Sequence, residues 1–117
     1  MKTVLVVDDS RFMRASLKNL LRKNGYEVVA EAENGEMAVE EYFKYKPDIV
    51  TMDITMPVMT GIEALRLIKA QDVQAKIVMV SSEAQKHYIK KAMISGAEYF
   101  IIKPFNEEVV MKILNRI

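Results

Sequence analysis

The chain has 117 residues and a mass of 13.4 kDa, the size of one domain. Half of its residues are hydrophobic and 28% are charged, a globular composition too apolar for disorder. No cysteine occurs, which excludes a disulfide scaffold, a thiolate zinc site and a cysteine nucleophile; a single histidine excludes a multi-histidine metal site, and a formal net charge of +1 carries no signature of bulk nucleic-acid binding.

Val4 to Val7 is a short continuous apolar run, the mark of a strand buried on both faces. It is too short for the core of a signal peptide, and Asp8-Asp9 follow where small residues would mark a cleavage site. No run approaches the ~18 apolar residues needed to cross a membrane, so the chain reads as cytoplasmic. Met13, Leu17, Leu20 and Leu21 then recur at helical spacing among Arg11, Arg14, Lys18 and Arg22, until Asn24-Gly25 stops the helix. Val28-Val29-Ala30 reads as a second strand. Asn34 is a good N-cap for a helix carrying Met37, Ala38, Glu41 and Tyr42, which Pro47 ends.

Ile49 to Asp53 reads as the third strand, followed by a loop marked by Met56-Pro57 and Thr60-Gly61. Ile62, Leu65 and Ile68 predict a third helix, Ile77 to Val80 a fourth strand, and Tyr88, Ala92 and Met93 a fourth helix stopped near Ser95-Gly96. Tyr99 to Ile102 reads as the fifth strand. Lys103-Pro104-Phe105 leads into a last helix capped by Asn106 and carrying Val109, Val110, Ile113 and Leu114. Most methionines, Met13, Met37, Met79, Met93 and Met111 among them, fall at apolar positions and read as core filler, whereas Met56 and Met59 are expected to be partly exposed. His87 reads as a surface helix residue.

Five strands alternating with five helices imply an α/β fold with a parallel sheet covered on both faces. Right-handed crossovers leave few topologies, and a flavodoxin-like doubly wound order of 2-1-3-4-5 over one domain, residues 1–117, is expected. Ligands of such sheets bind beyond the carboxyl ends of the strands, where the winding reverses. Those ends carry Asp8 and Asp9, Asp53, Ser81 and Ser82, and Lys103. One Asp at a strand end is usually a cap or turn residue. Acids after the first and third strands, hydroxyls after the fourth and a lysine after the fifth form a set that chance seldom assembles. Neighbouring carboxylates raise one another's pKa and call for a cation; an all-oxygen donor set suits a hard ion, Mg²⁺ above others. Carboxylate, metal, lysine and hydroxyl facing one point make a phosphoryl-binding constellation.

At this point the chain resembles the receiver domains of two-component response regulators, and among them the stand-alone chemotaxis regulators. The resemblance spans essentially the whole chain. It is carried by Val6-Val7-Asp8-Asp9-Ser10, Ala32-Glu33-Asn34-Gly35, Pro47 to Asp53, Met56-Pro57, Gly61, Gly96-Ala97 and Lys103-Pro104-Phe105. It implies that Asp53 accepts a phosphoryl group from a phosphohistidine. Asp9 would bind Mg²⁺ directly, Asp8 largely through water, and the Thr55 backbone carbonyl would complete the ligands with Asp53. Lys103 and Ser81 would contact phosphoryl oxygens. Ser82 would leave room for the group and offer its amide. Ser81 and Phe100 would carry the switch to the surface, and the Lys103-Pro104 bond would be cis. The implied partners are a CheA-like sensor histidine kinase, a phosphatase and a downstream target such as a flagellar motor switch protein; neither nucleic acid nor membrane is implied, and the chain would be a monomer. The family often has Thr where this chain has Ser81 and Tyr where it has Phe100. Thr55 and Glu83 fall at variable positions that tune dephosphorylation.

Other readings are a phosphorelay intermediate, a phosphate sink, or a receiver cut from a larger regulator. An aspartyl-nucleophile phosphohydrolase of the haloacid dehalogenase type wants a second Asp two residues after the nucleophile, whereas Asp8 and Asp9 are adjacent and Asp53 is followed by Ile54-Thr55. A flavin carrier would set its phosphate against Asp8-Asp9. Nucleotide-binding Gly-rich loops are absent from the sequence.

Overall fold

A computed structural model describes the backbone of residues 1–117 and every side chain except those of Glu83 and Ala84, so the tuning role expected of Glu83 lies outside the described residues. The strands are β1 (Thr3–Val7), β2 (Glu27–Ala32), β3 (Ile49–Asp53), β4 (Ile77–Ser82) and β5 (Tyr99–Lys103). The helices are α1 (Arg11–Lys23), α2 (Gly35–Tyr45), α3 (Gly61–Gln71), α4 (Ile89–Ile94) and α5 (Glu107–Leu114), with a 3-10 turn over Glu83–Tyr88 before α4. All strands pair in parallel in the order β2-β1-β3-β4-β5, the expected doubly wound topology.

The period-two alternation of strand side chains divides the core between two faces. Leu5, Val7, Val50, Met52, Ile77 and Met79 face Ala38 and Tyr42 of α2 and Leu65 and Ile68 of α3. Val4, Val6, Ile49, Val78 and Ile101 face Leu17 and Leu21 of α1 and Val110 and Leu114 of α5. Each fully buried aliphatic side chain contributes about 1.5–3 kcal/mol by leaving water. The central strands carry apolar residues on both faces because helices cover both, which is why they read as continuous apolar runs.

Caps set where the helices begin. The Asn34 and Asn106 side chains accept from the amides of Met37 and Val109, as expected. Thr60 is not merely a loop residue. It caps α3 reciprocally with Glu63, a Thr-x-x-Glu signal legible in the sequence. At the other end of α2 the cap residue Lys46 adopts φ 46°, so the helix ends at Tyr45, two residues before Pro47.

Three expectations need correction. β2 and β4 extend beyond Val28–Ala30 and Ile77–Val80, because parallel pairing with β1 and β5 carries the ladder to the strand ends. The fourth helix does not include Tyr88: regular α geometry starts only at Ile89. The residues Lys86, His87 and Tyr88 are exposed and supply no apolar face to hold an α-helix against the sheet, and Ala92 is the buried residue of α4. Met93 is exposed rather than core and Met56 is buried rather than partly exposed, whereas Met59 is half-buried, as expected. His87 is exposed, as read from the sequence.

Candidate functional site

The winding reverses between β1 and β3, and the carboxyl ends of these strands deliver three acids to one point. Asp8 follows β1 and is buried; its Oδ1 accepts the Ser10 amide at 2.8 Å, a local turn that fixes the carboxylate. Asp53 ends β3 and is buried; its Oδ1 accepts the Ile54 amide at 2.9 Å. Asp9 is exposed. Each of the three offers one carboxylate oxygen, and these oxygens lie within 4.8 Å of one another. Lys103, at the end of β5, extends its amine into the cluster, 2.9 Å from Asp8 Oδ2 and 3.6 Å from Asp53 Oδ2. The Lys103–Pro104 peptide bond is cis, as the resemblance implies.

Three carboxylates against one ammonium leave the site short of positive charge. Burial pushes the Asp53 carboxyl up to about 6; Lys103 opposes that rise, Asp8 adds to it, the Ile54 amide opposes it, and Asp9 adds to it. A hard divalent cation suits this oxygen-only donor set, and among the described residues Asp8, Asp9 and Asp53 are able to hold one.

The hydroxyl expected from β4 is present but turned aside. Ser81 is fully buried, and its Oγ donates to the Ser82 carbonyl over a long 3.4 Å. The Ser82 amide, expected to be open, donates to Gln85 Oε1 at 2.9 Å. Thr55 is exposed in the loop after β3. Phe100 stands on β5 opposite Met79 of β4, 40% exposed.

Further residues shape the site without entering it, in roles that the sequence reading did not assign. Gly61 packs its backbone against β3: a Cβ there would sit 1.9 Å from the Asp53 carbonyl oxygen, and its amide donates to the Ile54 carbonyl at 2.7 Å. The Gly35 amide donates to the Met59 carbonyl at 2.9 Å, closing the loop after β3 onto α2. Val58 in that loop takes φ 69°, a left-handed conformation costly for a β-branched residue. Arg14 stands in the sequence as one of several basic residues of α1. Its guanidinium turns inward and donates to the Asp8 carbonyl at 2.7 Å. A signal for Gly61 existed, a Gly opening an apolar helix beside an acid-ended strand; nothing local marked Arg14.

The response regulator receiver domain model matches residues 4–115. The chemotaxis protein CheY of Bacillus subtilis is 52% identical over 113 residues, covering 97% of this chain and 94% of that one. CheY of Thermotoga maritima is 50% identical over 116 residues, covering 99% and 97%. Among solved structures, the CheX-CheY-BeF3-Mg²⁺ complex from Borrelia burgdorferi superposes with a TM-score of 0.93 at 36% identity, covering 98% of this chain and 87% of that one. Vibrio cholerae CheY4 gives 0.89 at 34% identity, covering 99% and 98%.

Proposed function

The chain belongs to the response regulator receiver domain family, and from that premise we propose that Asp53 is its phosphoacceptor and that it serves chemotaxis signalling. The observation that carries the reading is a buried Asp53 carboxylate 3.6 Å from the Lys103 amine within a cluster of three acids. With its carboxyl at about 6, Asp53 is ionised at neutral pH and nucleophilic. Its oxygen forms a bond to phosphorus as the N–P bond of a phosphohistidine breaks, and the imidazole departs with a proton from water. Lys103 neutralises a phosphoryl oxygen as it is released from Asp8. Ser81 rotates its hydroxyl from the Ser82 carbonyl to another oxygen, drawing the chain after β4 inward. Phe100 then turns toward the space vacated, and the α4–β5–α5 face changes shape. Asp8, Asp9, Asp53 and the Thr55 carbonyl would hold Mg²⁺, which would supply positive charge for the transferred group. Ser82 donates its amide once Gln85 lets go.

Such a chain is a switch, modified and reset, rather than an enzyme turning over a free substrate. The curated relatives named above are chemotaxis proteins, which supports a CheA-like histidine kinase as phosphodonor, a flagellar motor switch protein as target and a cytoplasmic site of action. The Borrelia complex with CheX supports a further protein partner, for which a phosphatase role is the natural fit. Among the described residues no helix is long and apolar enough to cross a membrane.

Incubation with acetyl phosphate and Mg²⁺ should add one phosphoryl group, labile to hydroxylamine as an acyl phosphate is. Asp53→Asn should abolish it. A stable modification on Ser81 or Ser82 would overturn the assignment.

A further inference from the structure

The helix that follows the acid pair carries five basic residues, Arg11, Arg14, Lys18, Arg22 and Lys23, and no acid. Arg14 stands apart from the rest. Its side chain is 13% exposed, Nη1 donates to the Asp8 carbonyl at 2.7 Å, and Nε donates to Glu31 Oε1 at 3.1 Å. Glu31 lies on the edge strand β2, and its second oxygen accepts from Lys18 at 2.7 Å. The Lys18 hydrogen bond holds the Glu31 carboxyl below its usual range against the opposing effect of burial, and Arg14 adds to that lowering. The fork of Arg14 therefore has two fixed acceptors, one of them the carbonyl of the peptide that joins Asp8 to Asp9.

That peptide decides where Asp9 stands. Asp8 is already immobilised by the Ser10 amide and by Lys103, but Asp9 is exposed, and the hydrogen bonds that fix its main chain belong to its neighbours. Rotation of the Asp8–Asp9 peptide plane would carry Asp9 away from the other two carboxylates. We infer that Arg14, seated by Glu31 and Lys18, is a positioning residue of the metal-binding turn: it holds the Asp8 carbonyl so that Asp9 stays within reach of the ion shared with Asp8 and Asp53. The inference rests on the metal-site reading given under Proposed function.

Its consequence has a sign opposite to simple electrostatics. Arg14 is a cation beside a cation site. Removing its charge should tighten Mg²⁺ binding by relieving repulsion. Removing its hold on the Asp8 carbonyl should weaken binding, by about tenfold if Arg14 acts as other ligand-orienting partners do.

The test is Mg²⁺ titration of the full chain, followed by calorimetry and by the amide resonances of Asp9 and Ser10. Arg14→Met, which keeps length and loses both donors, should weaken Mg²⁺ about tenfold. Arg14→Lys keeps the charge without the two-pronged donor geometry; it should weaken binding too and serves if Arg14→Met fails to fold. Arg11→Met removes the same charge from the same turn of the helix and should leave affinity equal or tighter. The rate of labling by acetyl phosphate at saturating Mg²⁺ should fall far less than the affinity in the Arg14 variants. Wild-type or tighter affinity in both folded Arg14 variants overturns the positioning role while leaving the site intact. If the wild type shows no Mg²⁺ response that Asp9→Ala removes, the site reading itself fails, and this inference with it.

Discussion

Asp53 shows how one residue's surroundings set its chemistry. Its carboxyl is raised to about 6, first by burial, against an unfolded value near 3.8. The folded chain therefore holds a proton that the unfolded chain releases between those values. Stability from this group is complete below about 3.8 and is lost as pH rises through about 6. At about 1.4 kcal/mol per pH unit the loss is about 3 kcal/mol. Asn cannot ionise, so in metal-free buffer Asp53→Asn should match wild type near pH 4 and exceed it by up to about 3 kcal/mol at pH 7. Urea unfolding at both values checks this; a constant difference across the range would show that burial of charge is not the source.

Elements differ in how firmly they are held. α1 buries Leu17 and Leu21 and is capped by the Ser10 side chain. The 3-10 turn is held at its start by the Gln85 side chain, which accepts the Ser82 amide, but the six residues of α4 have no side-chain hydrogen bond at their N-cap, and α4 buries Ala92 alone. Short helices depend on tertiary packing for their stability, and here the packing is thin. Amide hydrogen exchange should therefore find residues 85–94 opening far more readily than residues 14–21 of α1, by at least about tenfold in protection. Equal protection would refute a loosely held fourth helix. This is also the segment that must move if Ser81 turns toward a phosphoryl oxygen, so its weak anchoring lowers the work of switching.

At the scale of the whole molecule, sheet order turns scattered residues into a charged cluster. Convergence of Asp8, Asp9 and Asp53 strains the metal-free fold by repulsion, and an ion bound only by the folded chain stabilises it by mass action. Asp9→Ala should raise the metal-free Tm slightly and abolish the further rise that millimolar Mg²⁺ gives the wild type, read by thermal denaturation with and without the ion. Loss of the rise without a gain in metal-free Tm would mean that the three carboxylates do not repel appreciably. The switch is tested at the same scale. Ser81→Ala should still be labelled by acetyl phosphate, since the Ser81 hydroxyl is engaged with the Ser82 carbonyl. It should bind the output partner poorly when phosphorylated, because the phosphoryl group biases the active form only through interactions made there. Wild-type binding by phosphorylated Ser81→Ala would remove this route from site to surface.

The sequence by itself determined the element order and the acids, hydroxyls and lysine at the strand ends, and it narrowed the strand order to a few topologies. These are legible because apolar runs report strands covered on both faces, and because parallel crossovers have one allowed hand. Asn34 and Asn106 were legible as caps because capping is a contact between near neighbours in the chain. Tertiary structure alone decided what depends on partners far along the chain. Arg14 resembles Arg11 and Arg22 until Glu31 on β2 and the Asp8 carbonyl offer it acceptors. Met93 has the spacing of a core residue, yet α4 is a single short helix that buries Ala92 and leaves Met93 exposed. Ser81 and the Ser82 amide were read as facing the site, but their present partners are the Ser82 carbonyl and Gln85. Periodicity and spacing constrain a backbone; where a charged or polar side chain points is settled by which donors and acceptors the finished fold leaves unpaired within its reach.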